Sequence, residues 1–121
     1  MTFSENKPIY LQITDRIMDS IAAGDYRAEE RLPSVREYAS NVEVNANTVM
    51  RSYDWLQQQG LIFNKRGIGY FVMPDAVSKI LKMRREIFFK EEADYFFRRV
   101  ASFGITPEEL ADLYRKHLTN K

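Results

Sequence analysis

Asn45-Ala46-Asn47-Thr48, with Arg51 and Ser52 following closely, places short hydrogen-bonding side chains and a cation where a helix begins. Asn pairs bidentately with adenine, and Thr or Ser serves several bases, so this spacing suits reading base edges. Lys65-Arg66-Gly67 puts two cations on a compact backbone, the chemistry that meets phosphates or a minor groove. Other chemistries lack their residues. There is no cysteine, which excludes disulfides, thiolate metal sites and cysteine nucleophiles. A single histidine, His117, rules out a multi-histidine metal site or a histidine-centred triad within one chain; near a helix C-terminus it reads as a cap or a surface residue. No glycine-rich loop is followed by a lysine to cradle a phosphate, and Glu91, Glu92 and Asp94 read as a solvent-facing run. No enzyme activity, metal or cofactor is expected.

The elements that would position these residues follow from periodicity. Tyr10, Ile13, Ile17 and Ile21 recur at helical spacing, with Pro8 in the first turn and Gly24 as a stop, predicting a helix over about 8–24. Asp25 to Leu32 reads as a polar connection. Ser34 and Glu37 have capping-box spacing for a short helix over 35–41, with Tyr38 and Ala39 inward. After a tight turn, Asn45 caps a third helix over 46–59, carrying Val49, Tyr53 and Leu56 on one face, with Gly60 past its end. Residues 61–64 and 70–73 are strand-like, joined by a loop whose Gly67 and Gly69 supply positive φ; Pro74 ends the second strand.

From Asp75 to Phe103 the pattern is helical without interior Gly or Pro. Val77, Ile80, Leu81, Ile87 and Phe88 share one face, and Phe89, Ala93, Phe96, Val100 and Phe103 another, offset by roughly a third of a turn. A stripe that shifts sideways has two things to pack against. Gly104 breaks this helix, and Thr106-Pro107-Glu108-Glu109 starts a last one with Leu110, Leu113, Tyr114 and Leu118 on its face.

With 121 residues, 45% hydrophobic and 29% charged, the chain reads as one folded domain or one small domain with an appendage. No apolar run reaches the roughly 18 residues of a membrane span, and Met1 to Pro8 lacks a secretion signal pattern, so a cytoplasmic location is expected. The net charge of +1 hides a gradient. Residues 1–30 are acidic, whereas residues 31–70 hold Arg31, Arg36, Arg51, Lys65 and Arg66 against Glu37, Glu43 and Asp54. Any nucleic-acid site is therefore a local patch, with the acidic remainder limiting non-specific adhesion.

The order helix, helix, turn, helix, hairpin is that of a winged helix-turn-helix, in which the third helix enters the major groove by its N-terminal residues. Leu32-Pro33-Ser34-Val35-Arg36-Glu37-Tyr38-Ala39, Val44-Asn45-Ala46-Asn47-Thr48-Val49, Gly60-Leu61-Ile62 and Gly67-Ile68-Gly69-Tyr70-Phe71-Val72 resemble the GntR family of bacterial transcription regulators. The Pro8-Ile9-Tyr10-x-Gln12-Ile13 opening fits as well. The Asn-x-Asn-Thr-Val spelling and the short tail resemble the YtrA-like subfamily. The resemblance implies that Arg36 contacts DNA backbone or base. It also implies that Asn45, Asn47 and Thr48 face the groove and that Arg66 and Gly67 form a wing tip reaching the minor groove. Glu43 and Glu29-Glu30 stand where the family usually has glycine or a glycine–acid pair, and Met50 where many relatives have arginine.

The expected fold is therefore mostly α with a small β-hairpin: a winged helix-turn-helix over 1–73 and a helical dimerisation or effector region over 74–121. The expected function is a sequence-specific DNA-binding regulator, an effector-controlled repressor that binds an inverted repeat of double-stranded DNA as a homodimer. The alternative is a winged-helix protein-interaction module that reads no DNA. Candidate DNA-binding residues are Ser34, Arg36, Asn45, Ala46, Asn47, Thr48, Arg51, Lys65, Arg66 and Gly67. Candidate dimer-seam residues are Leu81, Phe88, Phe89, Phe96, Val100 and Phe103; the tail phenylalanines as the lining of a small-molecule effector pocket is the competing reading.

Overall fold

A computed structural model describes residues 6–120, so most of the Met1–Pro8 stretch read for a secretion signal lies outside the described residues. The chain divides into two compact units, one ending at Lys82 and the other beginning at Met83.

The first unit holds three helices, a hairpin and the start of a fourth helix. Helix α1 spans Ile9–Ala23, α2 Val35–Val42 and α3 Ala46–Gln58. Helix α1 buries Ile13, Ile17 and Ile21 as the spacing predicts, and also Thr14 and Met18. The buried stripe is thus wider than the isoleucines alone. Thr14 can be buried because its hydroxyl donates to the carbonyl of Leu11 at 2.6 Å, leaving no orphaned polar atom. Ser52 of α3 is buried on the same logic, with its Oγ 2.7 Å from the Tyr10 carbonyl and 3.2 Å from that of Thr48. Val49, Tyr53 and Leu56 carry the inward face of α3. Burying a side chain of this size contributes about 1.5–3 kcal/mol.

Strands β1 (Ile62–Lys65) and β2 (Gly69–Val72) pair antiparallel, with Ile62 opposite Val72 and Lys65 opposite Gly69. The strands lie within one residue of the expected segments. The Ile68 N–H donates to the Lys65 carbonyl at 2.9 Å, and Gly67 takes φ +79 at the third position of this turn. Only glycine takes that position of a type II turn without strain.

The 25–32 segment is more than a connection. The Glu29 N–H donates to the Val72 carbonyl, the Val72 N–H to the Glu30 carbonyl and the Leu32 N–H to the Tyr70 carbonyl, at 2.8–3.0 Å. A polar edge segment thus lines the free side of β2, with Arg31 opposite Phe71. Its sequence lacks the branched and aromatic run that marks a strand, so pairing here depends on where Leu32 is buried.

The helix expected over 75–103 is continuous but not uniform. Helix α4 covers Ala76–Ile87, a π-helical stretch covers Phe88–Ala93, and α5 covers Asp94–Ser102. Ala76 and Ile80 are buried, while Val77 and Leu81 are 52% and 60% exposed, so the expected shared face splits. Positions 76 and 80 are four apart and stack on one side; 77 and 81 are rotated about 100° away. The Lys79 ammonium donates to the Gly60 carbonyl at 3.3 Å, tying α4 to the end of α3. Helix α6 spans Pro107–Thr119 and begins as read, with Thr106 Oγ1 accepting the Glu109 N–H. Among the described residues no helix is long and apolar enough to cross a membrane.

Two glutamates carry backbone strain. Glu29 has φ +64, and Glu43, closing α2, has φ +57 and ψ +48. The left-handed region costs an L-residue about 1–2 kcal/mol. Glu43→Gly is therefore expected to raise stability by about 1 kcal/mol, read as a higher urea midpoint at unchanged slope; an unchanged or lower midpoint would show the turn to be unstrained.

Candidate nucleic-acid interface

The site is assembled from two helix starts and the hairpin tip. At the start of α2, Ser34 Oγ accepts the Glu37 N–H and Glu37 Oε1 accepts the Ser34 N–H, both at 3.1 Å. This reciprocal box leaves Arg36 exposed in the first turn. The Glu37 carboxyl is held below its ordinary value, chiefly by the Ser34 backbone N–H, then by the Ser34 side chain and the charge of Arg31.

At the start of α3, Asn45 Oδ1 accepts the Asn47 N–H at 2.7 Å. The side-chain oxygen of Asn45 is thus engaged as a cap, and its amide nitrogen is the group left to meet a ligand. Ala46 and Asn47 are exposed and Thr48 is half-buried. Arg51 lies one turn on, with its Cζ 4.0 Å from the centre of the Tyr10 ring. Asn47, Thr48 and Arg51 share a shallow groove of about 420 Å³ with Pro8, Ile9 and Tyr10. The Asn47 and Thr48 N–H groups are engaged by the Asn45 side chain and carbonyl, and the helix start still carries the partial positive charge of the helix dipole, which favours a phosphate nearby.

Ser34, Arg36 and Gly67 come together in a second groove of about 360 Å³ between the start of α2 and the hairpin, with Arg31, Asn64, Ile68 and Tyr70 among its lining residues. Arg66 is exposed in the turn. Lys65 is not at the tip in the same sense: its Nζ lies 4.6 Å from the Phe71 ring centre, over the outer aromatic face where Phe63 and Phe71 stack at 5.7 Å.

Nothing local in the sequence assigns a place to Arg31. Pairing of the 29–32 segment with β2 brings it against the hairpin, where a Cβ on Gly69 would lie 2.8 Å from its Nε. Gly69, with φ +143, is the one local signal that something approaches the strand closely. Tyr10, part of the apolar stripe of α1 and of the Pro8-Ile9-Tyr10 opening, has no sequence signal that places it beside Arg51.

The second unit carries the candidate seam. Leu81 lies just before it, and Leu81, Phe88, Phe89, Phe96 and Phe103 are all between 44% and 67% exposed, with Val100 half-buried. Phe88, Phe89, Phe96, Phe97 and Val100 line an apolar groove of about 760 Å³ with Ile105 and the Leu110, Leu113 and Tyr114 face of α6.

The sequence profile described as "Bacterial regulatory proteins, gntR family" matches residues 9–72. The HTH-type transcriptional regulator YhcF of Bacillus subtilis (strain 168) is 33% identical over 91% of this chain and 89% of its own length. The HTH-type transcriptional repressor YtrA of the same organism is 33% identical over 62% of this chain and 58% of its own length. The crystal structure of a GntR-family transcriptional regulator from Bacteroides thetaiotaomicron superposes with a TM-score of 0.80 at 51% identity, covering 92% of this chain and 96% of that one.

The capping box yields a pH-linked test. A carboxylate whose folded pKa is depressed adds stability above its unfolded pKa and loses it as pH falls through the folded value. Ser34→Ala should destabilise the fold by about 1 kcal/mol at neutral pH. NMR titration should find the Glu37 midpoint below 4.5 in the parent and moved back towards it in the variant. A parent midpoint at 4.5 or above would contradict the box.

Proposed function

The chain belongs to the GntR family of bacterial regulatory proteins, with YtrA among its relatives, and from that premise we propose which residues read DNA and how the chain is assembled to do so. As a member of that family it is a DNA-binding transcriptional regulator with a winged helix-turn-helix fold. The observation that carries the residue assignment is the exposed first turn of α3. It offers Asn47, Thr48 and Arg51 to one groove while Val49, Ser52, Tyr53 and Leu56 anchor the same helix inside.

In this reading α3 lies in the major groove. Asn47 and Arg51 address base edges, assisted by Thr48 and by the Asn45 amide, and Ala46 lets the backbone approach closely. Ser34 and Arg36 at the start of α2 hold the phosphate backbone, with Arg31 beside them. Arg66 and Gly67 carry the wing to the minor groove, and Lys65 contributes charge along its flank. Phosphate contacts fix register, and base contacts supply the sequence preference.

Two copies bind an inverted repeat, because a twofold operator calls for a twofold protein. The helical region over 74–121 joins them through Leu81, Phe88, Phe89, Phe96, Val100 and Phe103. Several such residues half-exposed per chain support this: each buried at a seam would contribute about 1.5–3 kcal/mol. Control is by repression, and a small-molecule effector acting on the helical region shifts the population between two dimer geometries and so weakens operator binding.

Two measurements separate these roles. Using a duplex selected by the protein from a randomised pool, Asn47→Ala should lower specific affinity by about 1–3 kcal/mol and leave random-duplex binding nearly unchanged. Arg66→Ala should weaken both and flatten the salt dependence by about one ion. Equal loss on both duplexes in Asn47→Ala would remove it from the base readers. If the parent shows no salt-dependent binding to any duplex, the protein-interaction alternative is favoured.

Sedimentation tests the assembly. The full chain should be a dimer at micromolar concentration, and truncation after Lys82, which keeps the buried Ala76 and Ile80, should yield a folded monomer with weaker operator binding. A monomeric full chain, with the truncated form binding equally well, would refute the seam.

A further inference from the structure

Tyr10 belongs to the first turn of α1, outside the helix-turn-helix, yet it grips the recognition helix at two consecutive residues. Its carbonyl accepts the Ser52 hydroxyl at 2.7 Å. Its ring carries the Arg51 guanidinium, with Cζ 4.0 Å from the centroid. The ring is half-buried, and its backbone is set by the turn that Pro8 opens: the Leu11 and Gln12 N–H groups donate to the Pro8 carbonyl at 3.0 and 3.1 Å. Ser52 is fully buried, so the tie to α3 is protected from water.

An exposed arginine on a helix ordinarily samples many rotamers, and binding must freeze them. A ring beneath the guanidinium removes much of that freedom beforehand. The attraction is between the cation and the ring's negative face, so it uses none of the side chain's hydrogen-bond donors. Those donors remain available as a planar fork, the shape that pairs bidentately with the O6 and N7 of guanine. Asn47 and Thr48 lie in the same groove as this pair.

We propose that Tyr10 is a positioning residue for sequence reading: its ring presets the Arg51 guanidinium, over the groove it shares with Asn47 and Thr48, to select one guanine per half-site. The inference rests on the reading of α3 as the base-contacting helix. It also gives the Pro8-Ile9-Tyr10 opening a role in recognition beyond core packing.

The test selects duplexes from a randomised pool with the full chain and with Tyr10→Phe, Tyr10→Leu, Tyr10→Met and Arg51→Ala, alongside thermal melts of each protein. Arg51→Ala should lose the preference for guanine at one position per half-site and keep the others. Tyr10→Leu and Tyr10→Met, which retain apolar bulk, should weaken the preference at that same position by roughly 2- to 30-fold. Tyr10→Phe, which keeps the aromatic face, should restore it. Wild-type selectivity in both aliphatic variants would overturn the proposal. So would a uniform loss across all positions that follows melting temperature, the mark of a merely structural residue. If Arg51→Ala keeps every preference while other positions are still selected, the proposal fails and DNA reading by α3 stands. If the parent chain enriches no sequence, the underlying reading fails with it.

Discussion

The hydrogen bond from the Tyr53 hydroxyl to the Pro33 carbonyl, 2.6 Å long, is the constraint on which the DNA-binding unit depends. Tyr53 is fully buried at the middle of α3, and its ring makes edge contacts with Tyr38 of α2 and Tyr70 of β2, at 6.4 and 5.0 Å. One side chain thus holds α3 to the entry of α2 and to the hairpin. Burial pushes the phenol well above its ordinary pKa, with neighbouring tyrosines and Glu37 adding to the effect, so the donor proton stays in place at neutral pH. The Pro33 carbonyl is part-buried, and a hydrogen bond of this kind contributes about 1 kcal/mol while fixing the direction of the tie.

What this tie permits is a helix used at one end and anchored at the other. Tyr53 and Leu56 are buried, Ser52 is locked to Tyr10, and the turn before them projects Asn47 and Arg51. Charge is spent sparingly around that turn. The net charge of +1 leaves little long-range attraction for DNA, so the contacts that remain are local and geometric: capped helix starts, a short wing, and cations leaned on rings. Lys65 over Phe71 and Arg51 over Tyr10 follow one pattern, in which an aromatic face fixes where a long cationic side chain stands.

The helical tail obeys a different constraint. The π-helical stretch over 88–93 widens the turn, so the residues that follow lag around the axis relative to a uniform α-helix, which counteracts the sideways shift of the apolar stripe that the sequence pattern shows. Phe88 and Phe89 make edge contact at 5.4 Å, as Phe96 and Phe97 do at 5.6 Å in α5. Adjacent phenylalanines cannot both point to one narrow stripe of an α-helix. Pairing them broadens the apolar face instead.

Much of this was legible in the sequence because the deciding forces are local. The capping box at Ser34 and Glu37, the cap at Asn45, the stop at Gly60 and the wing turn at Gly67 each depend on a few successive residues, and all are where the residue types put them. The buried faces of α1 and α3 followed from spacing, apart from Thr14, Met18 and Ser52, whose burial needs partners that only the fold supplies. The tertiary structure alone decided the rest. Pairing of the 29–32 segment on β2 sets Arg31 beside the wing, and the crossing of α1 with α3 sets Tyr10 beneath Arg51. Which of Ile80 and Leu81 is covered depends on what lies beneath α4, and the register of a helical face does not fix it. Local propensity acts along the chain within a turn or two, whereas these contacts join residues tens of positions apart, and packing selects them only after the elements exist.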